Sequence, residues 1–211
     1  FGVPWNVFSL NFDTKISARL SSNTKFFGLV GERNSVGFTA TPNMPDAINP
    51  TSNEYTNRRV DRDFYENFGL ENRNLLNYTL GDIENNLAFG VRLYRANTIR
   101  NQQGLGTTAS DYDLSVEGIY PRALDFLTNN VAVFAENQFK ITDKFSLTPG
   151  VRYEYIENTG SGRFGLQSGN EVPFENKNIS RSKALFGLGL EYEFGATNLY
   201  ANITQAFRPV L

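Results

Sequence analysis

The sequence of 211 residues contains neither cysteine nor histidine. Without cysteine, the chain can form no disulfide framework and offers no thiolate. Without histidine, it lacks the commonest general base and the commonest metal ligand of proteins. No familiar motif for serine, lysine or carboxylate catalysis is present either. The sequence therefore indicates a protein that is not an enzyme and that uses no cofactor.

Long apolar runs are missing as well. No segment approaches the roughly 20 consecutive apolar residues that a membrane-spanning helix requires. Stretches rich in proline and serine, blocks of like charge and low-complexity runs are also absent, so nothing marks a linker and we predict one domain over residues 1–211. The formal net charge of −2 argues against a nucleic-acid partner.

The sequence is rich in aromatic residues and in segments that alternate strictly between apolar and polar residues. Phenylalanine, tyrosine and tryptophan make up 14% of the chain, which suits a barrel with aromatic girdles. From Phe8 to Leu20, nearly all even positions are apolar and all odd positions are polar. A period of two predicts a strand with one apolar and one wetted face. This run exceeds the roughly 9–11 residues with which a tilted strand crosses a bilayer.

The same alternation recurs along the chain. It is clear in residues 64–80, 87–94, 145–155, 183–194 and 199–208, and less clean in residues 25–32 and 131–140. The apolar positions of such strands would face lipid. The residues that we expect on the lipid side include Phe8, Leu10, Phe12, Leu147, Val151, Phe186 and Leu188.

The predicted connections alternate between short and long. The short ones cover residues 21–23, 81–84, 142–144 and 195–197 and are rich in the residues of tight hairpins. The long, polar ones cover about residues 34–60, 101–127 and 157–182. Short turns on the periplasmic rim and long loops on the cell surface are typical of outer-membrane barrels. We therefore predict an all-β fold of about eight antiparallel strands in up-and-down order, forming part of a larger transmembrane β-barrel.

Two soluble folds are the alternatives. A soluble up-and-down barrel or sandwich would use shorter strands and fewer outward-facing phenylalanines and tyrosines. A β-propeller would show a repeat of about 40 residues with blade signatures, and none is visible. The length of the alternating segments favours the membrane barrel.

Three segments between residues 129 and 211 resemble one family. Residues 133–144 (VFAENQFKITDK) resemble the hairpin F-A-E-x-x-F-x-I-T-D of TonB-dependent receptors. Residues 145–154 (FSLTPGVRYE) resemble their strand L-x-x-G-x-R-Y-E, and residues 198–209 (NLYANITQAFRP) resemble their strand L-Y-x-N-x-x-x-x-F-R-P. Each piece is short, but the three follow in the family's order with the family's hairpin spacing.

The resemblance implies a barrel of roughly 22 strands with an N-terminal plug and a TonB box. We expect this chain to be a middle part of such a barrel, with the plug and the C-terminal strands outside residues 1–211. Within the family, residues 200–211 resemble ferric citrate (dicitrate) receptors. The implied function is the binding and import of a ferric chelate, either ferric citrate or a siderophore, across the bacterial outer membrane.

The implied partners are the ferric chelate, the lipid of the outer membrane and, through the plug, the TonB complex. A porin-like or structural barrel without energised transport is the alternative function. A soluble adhesin or carbohydrate-binding β-protein is a third class. A plug and a TonB box upstream would distinguish a receptor from a porin.

A ferric chelate such as iron–citrate is an anion, and several arginines on different strands are suited to holding it. Each arginine offers a planar fork of donors and a permanent charge. Candidates must occupy an inward-facing position in the alternation and must lie beside a predicted long loop. Five residues meet both conditions: Arg59, Arg100, Arg152, Arg181 and Lys183. For each one alone, pairing with a carboxylate in the lumen is the simpler interpretation, so the hypothesis concerns the cluster.

Three glutamates are candidates for the paired carboxylates of an acid–base site. Glu154 with Glu191 or Glu193 would supply the two carboxylates that such chemistry needs. Pairing of these carboxylates with lumen cations such as Arg152 is the simpler interpretation, and it is the one that we expect.

Two further hypotheses concern a metal and a terminal arginine. Asp111 and Asp113 are the best short candidates for calcium, but they lack the spaced oxygen ligands of a full calcium loop. Arg208 precedes Pro209, and we expect it to end a strand and to pair with a lumen carboxylate rather than to act on a ligand.

Overall fold

The computed structural model describes residues 1–41 and 43–207, and all its regular elements are β-strands. In chain order the strands are β1 (Trp5–Lys15), β2 (Leu20–Gly37), β3 (Arg59–Leu80), β4 (Ile83–Gly106), β5 (Val116–Glu117), β6 (Arg122–Lys140), β7 (Phe145–Gln167), β8 (Asn170–Pro173), β9 (Lys177–Phe194) and β10 (Thr197–Thr204). The described part of the chain contains no helix that is long and apolar enough to span a membrane.

The strands form one sheet in the order β1-β2-β3-β4-β6-β7-β9-β10. The short strands lie off this path: β5 pairs with the end of β4, and β8 pairs with the end of β7. Neighbouring strands are antiparallel throughout. The predicted all-β, up-and-down architecture with about eight main strands is therefore confirmed. The outermost strands β1 and β10 each pair on one side only within the described residues.

The cross-strand register sorts the side chains onto two different faces. One row across the sheet contains Leu10, Phe26, Leu70, Leu93, Val131 and Tyr155. The adjacent row contains Asn11, Lys25, Glu71, Arg92, Ala132, Glu154 and Lys183. Because a step of one residue moves a side chain to the opposite face, the first row belongs to what we call the apolar face and the second to the polar face.

The apolar face is exposed over most of its area. All seven residues predicted to face lipid lie on it; Leu10 and Phe12 are 57% and 61% exposed. Among the described residues, only four apolar side chains are buried: Val60, Leu124, Ala132 and Ile156. A single sheet with this much exposed apolar surface lacks the second layer of a soluble sandwich, and a bilayer would cover that surface.

Three of the four predicted short turns are confirmed, and the first one is wrong. Gly81 and Gly195 begin two-residue turns with φ of +64° and +61°, a conformation that suits glycine. The first hairpin turns at residues 16–19, before the predicted residues 21–23. Ser17 fixes this turn, because its hydroxyl accepts hydrogen bonds from the backbone N–H groups of Arg19 and Leu20 at 3.2 and 3.1 Å. Alternation continues through the turn and conceals it in the sequence.

The strands extend far into the regions predicted as long loops. The loop predicted over residues 157–182 shrinks to residues 168–176, which include β8. The other two long connections shrink to residues 38–58 and 107–121. Polar residues occur on both faces of the extensions of β4 and β7, and apolar residues occur on both faces of the extension of β6, residues 122–127. The alternation therefore disappears although the backbone pairing continues. The alternation of short and long connections between opposite ends of the sheet is as predicted.

We predict that Leu188→Arg destabilises the membrane-inserted protein by about 2–4 kcal/mol, because Leu188 lies on the apolar face between Pro149 and Ile203. Thr148→Arg is the matched control, since Thr148 pairs with Gly189 on the polar face. Denaturant titration of the full-length protein in bilayers measures both variants. Equal stability of Leu188→Arg and the parent would contradict a lipid-facing role.

The ends of the sheet provide a prediction of topology. Proteinase K added to intact cells is expected to cut within residues 43–57 and 107–121, where accessible loops carry exposed side chains. It is expected to spare residues 141–144, which join β6 to β7 at the opposite end. Mass spectrometry of the released peptides locates the cuts. Cleavage confined to residues 141–144 would invert the orientation.

Candidate functional site

Carboxylates on the polar face gather arginines from neighbouring strands. The clearest case is Asp63 of β3, whose side chain is fully buried. It makes an ion pair with Arg33 of β2, accepts a hydrogen bond from Gln102 Nε2 at 3.0 Å, and lies 3.6 Å from Arg100 Nε of β4. The register explains the convergence, because Arg33 and Arg100 pair directly with Asp63 on its two sides.

A second carboxylate lies two residues closer to the connecting loops. Asp61 pairs with Arg59 Nε at 3.1 Å and accepts a hydrogen bond from the backbone N–H of Gln103 at 2.6 Å. Gln103 has a φ of +63°, and the pairing of β3 with β4 shifts by one residue here. This bulge aims the Gln103 N–H at Asp61 and places the Gln102 amide on Asp63.

Together these residues form what we call the upper group, because it lies at the end of the sheet that carries the long connections. The group has an excess of positive charge. Within the described residues, the guanidinium groups of Arg33, Arg59 and Arg100 pair with two carboxylates, those of Asp61 and Asp63. Arg33 and Arg100 remain 39% and 40% exposed, whereas Asp63 is 0% exposed. Asp63 is thus enclosed within the group, whereas the side chains of both arginines remain partly exposed, and this arrangement can accept an anion.

A second group, which we call the lower group, lies further from the long connections and comprises Arg152 and Glu154 of β7 and Arg181 and Lys183 of β9. Arg152 Nε pairs with Glu154 Oε1 at 2.5 Å, and its guanidinium lies 5.7 Å from the ring of Phe134 on β6. Lys183 pairs in register with Glu154, and Arg181 pairs with Ile156, so all three cations share the polar face. Arg181 and Lys183 are exposed.

The structure does not bring the five predicted residues into one cluster. Arg100 pairs with Leu124 on β6 and Arg152 pairs with Phe134, ten residues further along the same strand. At about 3.3 Å per residue, Arg100 and Arg152 are about 33 Å apart along the strand direction, and Arg181, which pairs through Ile156 with Asn130, is about 20 Å from Arg100 in that direction. The prediction that all five flank a long loop is wrong for Arg152, which precedes the end of β7 by fifteen residues. The extension of the strands into the predicted loops is the reason.

The glutamates do not form a pair for acid–base chemistry. Glu154 takes Arg152 as its partner, as the simpler interpretation predicted. Glu191 lies eight residues from Lys183, the residue that pairs in register with Glu154, which is about 26 Å along the strand.

The aspartates proposed for calcium are engaged elsewhere. Asp111 pairs with Arg58 at 2.9 Å. Asp113 accepts hydrogen bonds from the backbone N–H of Ser115 and from the Thr107 hydroxyl, and these bonds lower the pKa of its carboxyl. The described residues contain no group of three or more acidic side chains placed to hold a metal ion. Arg208 lies outside the described residues.

Comparison with known proteins agrees with the fold. The family described as TonB dependent receptor-like, beta-barrel matches residues 2–211. The chain belongs to this family. TonB-dependent receptors lie in the bacterial outer membrane, so the sheet is part of an outer-membrane barrel wall, as the alternation predicted.

Several named TonB-dependent receptors are similar to the chain. The Rhizobactin receptor of Rhizobium meliloti (strain 1021) is 33% identical over 102 residues, which cover 43% of this chain and 13% of that receptor. The unliganded ferric citrate transporter FecA matches with a TM-score of 0.70 and 19% identity, over 95% of this chain and 27% of that one. The ferric-catecholate import receptor Fiu from E. coli, in its open form, matches with a TM-score of 0.70 and 13% identity, over 98% and 36%.

At these identities the structural matches show the fold alone. The chain spans about a third or less of the relatives and solved receptors that it matches.

Sequence reasoning missed five residues of the upper group: Arg33, Asp61, Asp63, Gln102 and Gln103. Arg33 follows a segment of unclear alternation, so its face could not be assigned. Asp63 shares odd parity with Glu71 and Arg73 on β3, and this signal could have placed it on the polar face. The position of Gln102 depends on the bulge at Gln103, and Gly104, which follows, was the one signal in the sequence that could have indicated it.

We predict that Asp63→Asn destabilises the full-length receptor by about 2–3 kcal/mol, because the amide leaves Arg33 and Arg100 facing each other without a neutralising charge. Asp13→Asn is the control, since Asp13 lies on exposed β1, where it accepts a hydrogen bond from Asn23. Thermal unfolding in detergent compares the two variants. Identical melting of Asp63→Asn and the parent would show that Asp63 does not hold the arginines.

Proposed function

We propose that this chain forms part of the wall of a TonB-dependent receptor that binds a ferric chelate and imports it across the outer membrane. The observation that carries the proposal is membership of the receptor family over residues 2–211. The names of the ferric citrate transporter FecA and of the ferric-catecholate receptor Fiu both state a ferric chelate as cargo.

In this proposal the apolar face contacts lipid and the polar face lines the lumen. The plug, supplied by the rest of the receptor, would fill the lumen and connect it to the TonB complex. Transport then needs no covalent chemistry from the wall. The wall has to bind the cargo, keep water-filled space open for it, and release it when the plug moves.

The upper group supports an anionic cargo. Three arginines around two carboxylates leave positive charge on the polar face close to the connecting loops. We propose that Arg59 and Arg100, together with Arg33, contact the chelate first. Arg33 is hydrogen-bonded to Asp63, so less of its side-chain freedom remains to be lost on binding.

The lower group would receive the cargo further along the wall. Arg152 already takes Glu154 as a partner, but Arg181 and Lys183 make no ion pair within the described part of the chain. We propose that Arg152, Arg181 and Lys183 form a second binding site for the same anion. Ferric citrate, which carries carboxylates that match guanidinium forks, is the cargo that we propose.

We predict that Arg100→Gln and Arg152→Gln each weaken binding of ferric citrate about tenfold in the full-length receptor. Because the two residues belong to separate groups, the losses should add in the double variant. Titration calorimetry at fixed salt measures the affinities. Arg19→Gln, in the turn between β1 and β2, is the control and should bind like the parent.

Equal affinity of the double variant and the parent would overturn the assignment of these residues. Tight binding of a neutral or cationic chelate in place of ferric citrate would overturn the choice of an anionic cargo. Iron uptake that continues without TonB would overturn energised transport and favour a porin-like barrel.

A further inference from the structure

Arg58 is the most deeply buried charged residue that the proposed transport does not use. It ends the connection between β2 and β3, residues 38–58, which we call the first loop, and its side chain is 1% exposed. One guanidinium nitrogen pairs with Asp46 of the same loop at 2.8 Å. The other pairs at 2.9 Å with Asp111, which belongs to the connection between β4 and β6. We call that connection, residues 107–121, the second loop.

Aromatic side chains of the first loop enclose the guanidinium. Its central carbon lies 4.5 Å from the ring centroid of Tyr55 and 5.9 Å from that of Phe38, both within the range of cation–π attraction. The hydrogen bond to Asp46 raises the pKa of Arg58 above its already high usual value. Arg58 is therefore permanently charged, and that charge is held almost entirely out of water.

Backbone hydrogen bonds join the same two segments around the arginine. The N–H of Tyr55 donates to the carbonyl of Thr108 in the second loop at 2.9 Å, and the N–H of Gly106 donates to the carbonyl of Arg58 at 2.6 Å. The Thr108 hydroxyl lies 3.2 Å from a carboxylate oxygen of Glu54. The two loops thus meet along a seam, with Arg58 as its charged centre.

The seam depends on Arg58 because a buried charge is costly without partners. Asp46 is 38% exposed and Asp111 is 74% exposed, so either carboxylate alone could return to water cheaply. The arginine could not, and its Nε already lacks a hydrogen-bond partner within the described residues. Movement of either loop away from the seam would remove one of its two carboxylates.

We propose that Arg58 is a clasp that makes the first and second loops open and close as one unit. Opening of one loop strips a carboxylate from the buried guanidinium and weakens its hold on the other loop. A molecule that contacts only one of the two loops would therefore displace both. The proposal does not depend on which cargo the receptor carries.

Hydrogen–deuterium exchange of the full-length receptor in detergent tests the clasp. The decisive variants carry the change in one loop and are measured in the other. Asp111→Asn is expected to speed exchange of residues 43–57 of the first loop about tenfold, and Asp46→Asn is expected to do the same for residues 107–120 of the second. Arg58→Met should speed both loops, and adding Asp111→Asn to it should have little further effect, because the link is already broken.

Arg62→Met is the matched control. Arg62 is also ion-paired, to Glu32 at 3.3 Å, but it joins two strands rather than two loops. It should leave exchange in both loops unchanged. Faster exchange confined to the substituted loop in Asp111→Asn and Asp46→Asn would overturn the clasp. If Arg58→Met fails to assemble, these two variants still decide the question, because both carboxylates are partly exposed and their replacement leaves Arg58 in place.

Discussion

Backbone pairing between neighbouring strands is the constraint on which the rest of this structure depends. Hydrocarbon offers no partner for an N–H or C=O group, so a strand that crosses it must satisfy these groups in the ladder. The ladder then fixes the register, and the register decides which side chains share a face. The apolar row through Leu10 and Phe26 and the charged row through Lys25 and Glu71 are one residue apart on the same strands. One set of backbone hydrogen bonds thus decides which side chains form the apolar face and which form the polar face.

Much of the fold was predictable because a membrane strand repeats every two residues. The segments around Phe8, Leu147 and Leu188 show this repeat clearly, and the structure places all three on one face. The turn at residues 16–19 was not predictable from the repeat, since Ile16, Ala18 and Leu20 keep the alternation while the chain reverses. The upper parts of β4, β6 and β7 were missed for the opposite reason. Both of their faces carry a mixture of residue types, so no pattern distinguishes them from loops.

The candidate site was predictable only in part. Whether a residue number is odd or even indicates the face of the sheet, but it does not indicate the position along the strand. Parity placed Arg100, Arg152 and Lys183 on the polar face correctly. Their separation along the sheet follows from where each strand begins and hence from the pairing of β4, β6, β7 and β9. Asp63 shows the same limit. Its odd position was visible, but its role as the carboxylate between Arg33 and Arg100 requires knowledge of both neighbouring strands.

The length of the strands has a consequence for how charge acts on an approaching ligand. β4 has 24 residues, and at about 3.3 Å per residue and a tilt of about 40° it rises about 60 Å, against a hydrocarbon band of about 25 Å. The sheet is therefore much taller than the hydrocarbon band and extends well beyond it. Physiological salt screens charges beyond about 8 Å, a distance that is far shorter than this extension. Arg152 lies fifteen residues from the end of β7, well beyond this screening length from the loop end of the sheet, so it would not attract anions from the medium. It would lengthen the residence of molecules that have already diffused inside, so its substitution should alter dissociation rates far more than capture rates.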